Sequence, residues 1–259
     1  MTNRLRPIVL SHLSIRHASF VDRCSAASLA DFDGIGLEIG EWSLQRAKGR
    51  SDDELRGIVA EHDIAVMEIE TMPLFDDVLV DTFVHLVATY RPHRVIVVPP
   101  FHGAVDRVAA GEWLARVADR IALFGATLAL EFLPFTDVPD AAAAAEVVER
   151  AGRPNVGICV DAWHVFRGDG LLSLVGLDPA LVAMVQLNDG PLEPVVADYV
   201  DDCLHHREPP GEGEFDLRAF MELVPDLAPL GVEVPDDDLD ALPPLDVATL
   251  LMAETRRFL

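Results

Sequence analysis

The sequence predicts a closed (β/α)8 barrel, a single domain running from residue 1 to residue 259. Three observations carry that reading. Short apolar runs recur at intervals of about thirty residues, helical patterns separate most of them, and no Ser/Gly-rich or low-complexity tract marks a linker. The runs are PIVLSHL (7–13), GIGLEIG (34–40), IAVMEIETM (64–72), RVIVVPP (94–100), ATLALEFLP (126–134), VGICVDAWH (156–164), LVAMVQLND (181–189) and LGVEVP (230–235). Continuous Val/Ile/Leu strands covered by helices belong to a parallel sheet. Eight such units in about 250 residues close it into a barrel. The alternative is a doubly wound open sheet, whose glycine-rich turn after the first strand is missing here.

The connections follow in order. SDDELRGIVAEHD (51–63) starts a helix with Ser51 as N-cap and acidic residues in the first turn. VLVDTFVHLVATY (78–90) and GEWLARVADRIALFG (111–125) carry helical patterns. The alanine run 141–145 lies within another and reads as helix, not linker. The longest gap, 190–229, holds PLEPVVADYVDDCLHHREPPGEGEFD, read as a loop, and then a helix from about Asp216. A loop of that length is a candidate cover for an active site.

Half of the residues are apolar, enough for a large core. No apolar stretch reaches the roughly 18 residues of a membrane span. The start, MTNRLRPIVLSHL, has too short an apolar run for a signal peptide. The formal charge of −24 repels phosphate backbones, so neither nucleic acid nor an anionic membrane is an expected partner. Cys24, Cys159 and Cys203 are widely spaced and odd in number, which speaks against a disulfide framework and for a reducing cytoplasm; Cys159 reads as a core residue. Lys48, the one lysine, falls in a polar loop sequence, so Schiff-base and pyridoxal chemistry are set aside. No Walker-type loop is present.

In this architecture chemistry sits at the carboxyl ends of the strands. Strand five ends in Glu131, strand six in Asp161 with His164 three residues on, strand seven in Gln186 and strand eight in Glu233. Each alone has an ordinary structural reading. Glu131 could pair with an arginine, Asp161 could cap the next turn, and His164 and Gln186 could be satisfied core groups. Glu233 could belong to a solvated edge. Together they converge on the barrel axis, where three carboxylates repel one another and a divalent cation removes that cost.

Glu131, then D-x-W-H (161–164), Gln186 with N-D (188–189), R-x-P-P-G-E-G-E-F-D (207–216) and V-E-V (232–234) follow one another in order. This series resembles the xylose isomerase-like TIM-barrel superfamily, described as sugar phosphate isomerases/epimerases. It includes ketose 3-epimerases, inosose isomerases and dehydratases, 3-dehydroshikimate dehydratases and endonuclease IV. The resemblance is strongest over 126–235. It implies metal ligands Glu131, Asp161, Gln186 and Glu233, with His164 contacting substrate near the metal and Arg207 reaching substrate from the loop. Most of these families carry histidine where Gln186 stands; some 3-dehydroshikimate dehydratase-like members carry glutamine. With four oxygen ligands, Mg²⁺ or Mn²⁺ is favoured over Co²⁺ or Zn²⁺. In the first half, His12, Glu38, Glu70 and His102 fall at or near strand ends; His12 and Glu38 are the favoured substrate-binding candidates.

These residues lead to an expected isomerase or epimerase acting on a small carbohydrate-like substrate: a sugar, polyol-derived ketone or keto acid. Glu131 and Glu233 would be metal-bound bases on either side of an enediolate. The alternative is a dehydratase of the 3-dehydroshikimate or inosose kind, with His164 as the acid. Endonuclease IV-like DNA repair is a remote alternative, opposed by the negative charge and the few histidines at strand ends. Few basic residues stand at strand ends, which favours an unphosphorylated substrate. Homodimers are common in the resembling families, so a homodimer is compatible with the reading.

Overall fold

Each of the eight apolar runs contains a strand in the computed structural model, which describes residues 6–259. The first five residues, part of the stretch read as lacking a signal peptide, lie outside the described residues. The strands are β1 (Ile8–Leu10), β2 (Gly34–Glu38), β3 (Val66–Pro73), β4 (Arg94–Val98), β5 (Thr127–Glu131), β6 (Val156–Asp161), β7 (Val182–Leu187) and β8 (Leu230–Val232). They pair in parallel and in chain order, and β8 returns to β1 with Ile8 opposite Leu230, closing the barrel.

The outward-facing Val, Ile and Leu side chains are buried under the helices. Inside the barrel, Ile96, Ala129, Cys159, Ala183 and Met184 form a small separate core. Cys159 is therefore the core residue expected. The capping box at Ser51 and Glu54 forms as the sequence predicts, and the alanine run lies in the helix Ala141–Ala151. No helix among the described residues is long and apolar enough to cross a membrane.

Three boundaries differ from the sequence reading. The first run yields only a three-residue strand, because Ser11 accepts from the Leu13 amide and turns the chain into a 3-10 helix, His12–Ile15. The sixth run stops being strand at Asp161, whose side chain accepts from Trp163 N at 2.8 Å and opens the helix Ala162–Arg167. The stretch read as loop contains a further helix, Tyr199–His205. Asp198 caps it by accepting from Asp201 N, the acidic residues Asp201 and Asp202 stand in its first turn, and Cys203 is buried. The next helix, Leu217–Leu223, has Asp216 as its N-cap, one residue from the expected start.

Candidate active site

Strand register brings the predicted residues together. Asp161 lies opposite Gln186, and Gln186 opposite Gly231, so the carboxyl ends of β6, β7 and β8 meet at one height. Glu131, Asp161, His164, Gln186, Arg207 and Glu233 are all buried there. His164 Nε2 is 2.9 Å from Glu131 Oε1 and 3.8 Å from Asp161 Oδ2. Arg207 Nη1 donates to Asp161 Oδ2 at 2.8 Å and to Glu233 Oε2 at 3.2 Å.

Charge in this volume is only partly balanced: three carboxylates face one guanidinium. Burial raises the Asp161 carboxyl, but Arg207, His164 and the hydrogen bonds from Asn188 and Arg207 outweigh it and hold Asp161 below the usual carboxylate range. Glu233 goes the other way. Burial pushes it well above its ordinary value, and Glu131, Asp161 and Glu70 add to that against Arg207. Ser11 Oγ lies 3.0 Å from Glu233 Oε1 and 3.1 Å from Glu70 Oε2. One hydroxyl has a single proton to give, so it serves these two carboxyls one at a time.

Two carboxyls inside the barrel are raised into the neutral range. Burial, with Glu70 nearby, lifts Glu68 to about 8, and burial lifts Glu70 itself to about 7. A folded-state value above the unfolded one means the folded protein keeps protons that the unfolded chain gives up. The stability this supplies is complete below about pH 4.5 and is lost as pH rises through 7 and 8. Metal-free protein is therefore expected to show a falling urea midpoint from about pH 5 to about pH 8, a slope that Glu68→Gln flattens. A midpoint that stays level across that window would mean both groups ionise normally.

The N-D and PPGEGEFD segments turn out to be one clamp. Asp189 Oδ1 accepts from Gly190 N at 2.8 Å and Phe215 N at 2.9 Å, and Oδ2 accepts from Gly211 N at 2.8 Å. Asp189 and Glu208 also exchange backbone hydrogen bonds at 2.9 Å. Position 213 is glycine because a Cβ there would lie 2.4 Å from Asp189 Oδ1. The clamp carries Arg207 to the site from outside the barrel. Asp189→Ala strands three amides. It is expected to cost about 2 kcal/mol and to open the 207–216 segment to limited proteolysis. An unchanged digestion pattern would show that the segment holds its place without Asp189.

Sequence reasoning gave no role to three participants, although Asn188 stood in the quoted N-D motif. Asn188 Nδ2 donates to Asp161 Oδ1 at 2.7 Å and fixes its orientation. Ser11 links Glu70 to Glu233 as described. Tyr199 stands with its hydroxyl 2.6 Å from His164 Nδ1. For Tyr199 the sequence offers only a capping residue, Asp198, before a helix of seven residues. For Ser11 the sequence offers no signal. His12 and Glu38 lie to one side. His12 is buried and held far below its ordinary value, at about 3, by burial and by Arg23. Glu38 caps the helix that follows β2 by accepting from Glu41 N at 2.9 Å. His102 is exposed on the loop after β4.

A cavity of about 170 Å³ opens over Glu131, His164, Arg207 and Glu233, walled by Phe101, Phe135 and Tyr199. The three rings form a chain, with centroids 5.3 Å apart for Phe101–Phe135 and 4.8 Å for Phe135–Tyr199. A cavity near 150 Å³ holds one benzene-sized ring, so this one suits a single six-membered ring. A larger hollow of about 680 Å³ lies at the opposite end, among Pro7, Asp33, Val66 and His93. It holds none of the clustered carboxylates, and barrels of this kind do chemistry at the carboxyl ends.

The donor set fits a cation. Glu131, Asp161 and His164 each offer a ligand atom, all within 4.8 Å of one another. Gln186 has one carboxamide atom, Nε2, buried without a partner, while Oε1 accepts from Cys159 Sγ at 3.0 Å. The nitrogen and oxygen of a carboxamide are interchangeable in shape, so the orientation of the amide decides whether Gln186 offers its oxygen.

A closed parallel barrel with carboxylates from consecutive strand ends around one ring-sized cavity defines a class of metal-capable sites. The chain belongs to the xylose isomerase-like TIM barrel family, whose model matches residues 24–257. A 3-dehydroshikimate dehydratase of Pseudomonas aeruginosa is 32% identical over 137 residues, a match covering 50% of this chain and 21% of that protein. This chain thus matches about a fifth of that enzyme's length. Among solved structures, the IolI protein with a bound zinc atom superposes with a TM-score of 0.85 at 18% identity, over 97% of each chain. The D-allulose 3-epimerase of Methylomonas sp., in complex with D-allulose, gives a TM-score of 0.77 at 12% identity, over 98% of this chain and 97% of that one. At such identities the two structures show the shared fold.

Proposed function

We propose that this protein is a divalent-metal-dependent dehydratase acting on a small cyclic hydroxy-ketone of the 3-dehydroshikimate kind. One observation carries the reading: on the wall of a cavity sized for one ring, His164 has Glu131 Oε1 2.9 Å from its Nε2 and the Tyr199 hydroxyl 2.6 Å from its Nδ1. Elimination of water needs a base for the proton next to the carbonyl and an acid for the hydroxyl that leaves. Glu131 takes that proton. His164, whose Nε2 lies 2.9 Å from Glu131, returns a proton to the departing hydroxyl, so hydrogen and hydroxyl leave as one water. Tyr199 fixes the imidazole from its other nitrogen. Because base and acid adjoin, the two groups leave from the same face of the ring.

Glu131, Asp161, Gln186 and Glu233 would hold the metal, which when bound supplies a Lewis acid for the substrate carbonyl. The zinc of the IolI structure supports a divalent ion in this fold; the oxygen-rich donor set favours Mg²⁺ or Mn²⁺. The 32% identity to a 3-dehydroshikimate dehydratase supports elimination over the isomerase or epimerase that the sequence put first. That second reading keeps one supporting observation: Glu233, one residue past β8, lines the same cavity as Glu131 and could serve as a second base. The barrel as one catalytic domain, action on small molecules without nucleic acid or membrane, and a cytoplasmic setting complete the proposal. The −24 charge and three unpaired, buried cysteines support these points.

The test is to load purified protein with Mn²⁺ or Mg²⁺ and supply 3-dehydroshikimate, inososes and ketoses in turn. Elimination creates a conjugated product, so ultraviolet absorbance should rise with 3-dehydroshikimate or an inosose. Interconversion of ketoses with no new absorbance would replace the dehydratase by the isomerase or epimerase.

A further inference from the structure

Two side chains that border the same glycine inside the barrel, Gln186 and Glu68, each hold buried polar atoms without a partner. The donor is Gln186 Nε2. The acceptor is the Glu68 carboxyl on β3, both of whose oxygens lack a partner in a side chain only 1% exposed. A Cβ added at Gly231 of β8 would lie 3.2 Å from Gln186 Cγ and 3.4 Å from Glu68 Oε2. With glycine there, the two side chains share the space that a methyl group would fill. The cation acting on Glu68, Arg94, is committed elsewhere: its Nε donates to Ala183 O at 2.7 Å and its Nη1 to His93 O at 2.8 Å. Buried polar groups left unpaired are costly and rare, and here two complementary ones belong to side chains that meet at one glycine.

We propose that Glu68 is a positioning residue. It receives the Gln186 carboxamide N–H, directly or through one water, and so fixes the carboxamide with its oxygen as the atom offered to the metal. The inference rests on Gln186 being a ligand, as argued above. A ligand side chain gains affinity when a neighbouring group settles its orientation, and loss of such a neighbour costs about 10–100-fold in metal binding. Glu68 does this from strand β3, which contributes none of the proposed ligands. Cys159, donating to Gln186 Oε1 at 3.0 Å, steadies the other side of the same amide.

The experiment measures the Mn²⁺ Kd by titration calorimetry and the Tm of the metal-free protein for a set of variants. Glu68→Leu keeps the bulk and removes the acceptor. It is expected to weaken Mn²⁺ binding about 10–100-fold while metal-free Tm holds or rises, because a costly buried carboxyl is gone. A merely structural role would instead lower Tm and spare the Kd. Glu68→Gln retains an acceptor oxygen and should bind nearly as the wild type does. Gly231→Ala, which fills the shared space, should weaken binding with Glu68 still in place, and gives an answer even where Glu68→Leu fails to fold. In a Gln186→Ala background, Glu68→Leu should add nothing. Should Gln186→Ala weaken Mn²⁺ binding while Glu68→Leu and Gly231→Ala leave it unchanged, Glu68 has no part in positioning and the ligand assignment survives. Should Gln186→Ala itself leave the Kd unchanged, the ligand assignment falls and this inference with it.

Discussion

Glu131→Gln is expected to lower kcat by about 10²–10⁴-fold, the range lost with a general base. The substitution is nearly isosteric. Glutamine at the end of β5 keeps an oxygen for His164 and fits the space of a side chain only 6% exposed. What it loses is the basicity that takes the proton beside the substrate carbonyl. Urea unfolding should therefore change little while turnover disappears, and that separation makes the variant informative. Two measurements check it: product absorbance, and exchange of the substrate C–H with solvent deuterium. Persistent exchange in Glu131→Gln would remove Glu131 as the base and pass that role to Glu233.

Asp161→Ala should have the largest effect on stability, a loss of about 3–5 kcal/mol, as when one member of a buried ion pair is deleted. Asp161 is fully buried and serves four groups at once. It accepts from Arg207 Nη1 at 2.8 Å, from Asn188 Nδ2 at 2.7 Å and from Trp163 N at 2.8 Å, and it lies 3.8 Å from His164. Alanine leaves the Arg207 guanidinium with Glu233 as its one remaining carboxylate, at 3.2 Å. It also removes the cap that starts the helix after β6. Denaturant titration of metal-free protein reads the loss without interference from bound cation. A loss below about 1 kcal/mol would show that Glu233 alone neutralises Arg207. Asp161→Asn keeps the cap and the Asn188 neighbour, and should fall between alanine and the wild type.

Much of this site was legible in one dimension, for a definite reason. A strand buried on both faces must be apolar throughout, so any polar residue at its end stands out. Glu131, Asp161, Gln186 and Glu233 were visible on that ground alone, before any resemblance was invoked. Arg207 shows where the reading thinned. Its motif marked it as a group reaching toward substrate; it lines the cavity, and its hold on two site carboxylates through Nη1 and on Cys203 Sγ through Nη2 at 3.0 Å was not legible. Tyr199 was hidden because a seven-residue helix inside an acidic, proline-flanked stretch has too few turns to show a period. Ser11 and Glu68 were silent, since a single hydroxyl or carboxyl in or beside a strand says nothing about what it faces, and Asn188 was visible in its motif but without a role.

The sequence by itself determined which eight segments are strands, their order, and the residue types that end them, because burial on both faces leaves so few side chains to choose from. The tertiary structure decided which polar groups meet. Barrel closure sets β8 against β1 and places Ser11 3.0 Å from Glu233 across 222 residues of chain. Contacts of that kind depend on the stagger of the strands around the ring, a property of the closed sheet that no local pattern encodes.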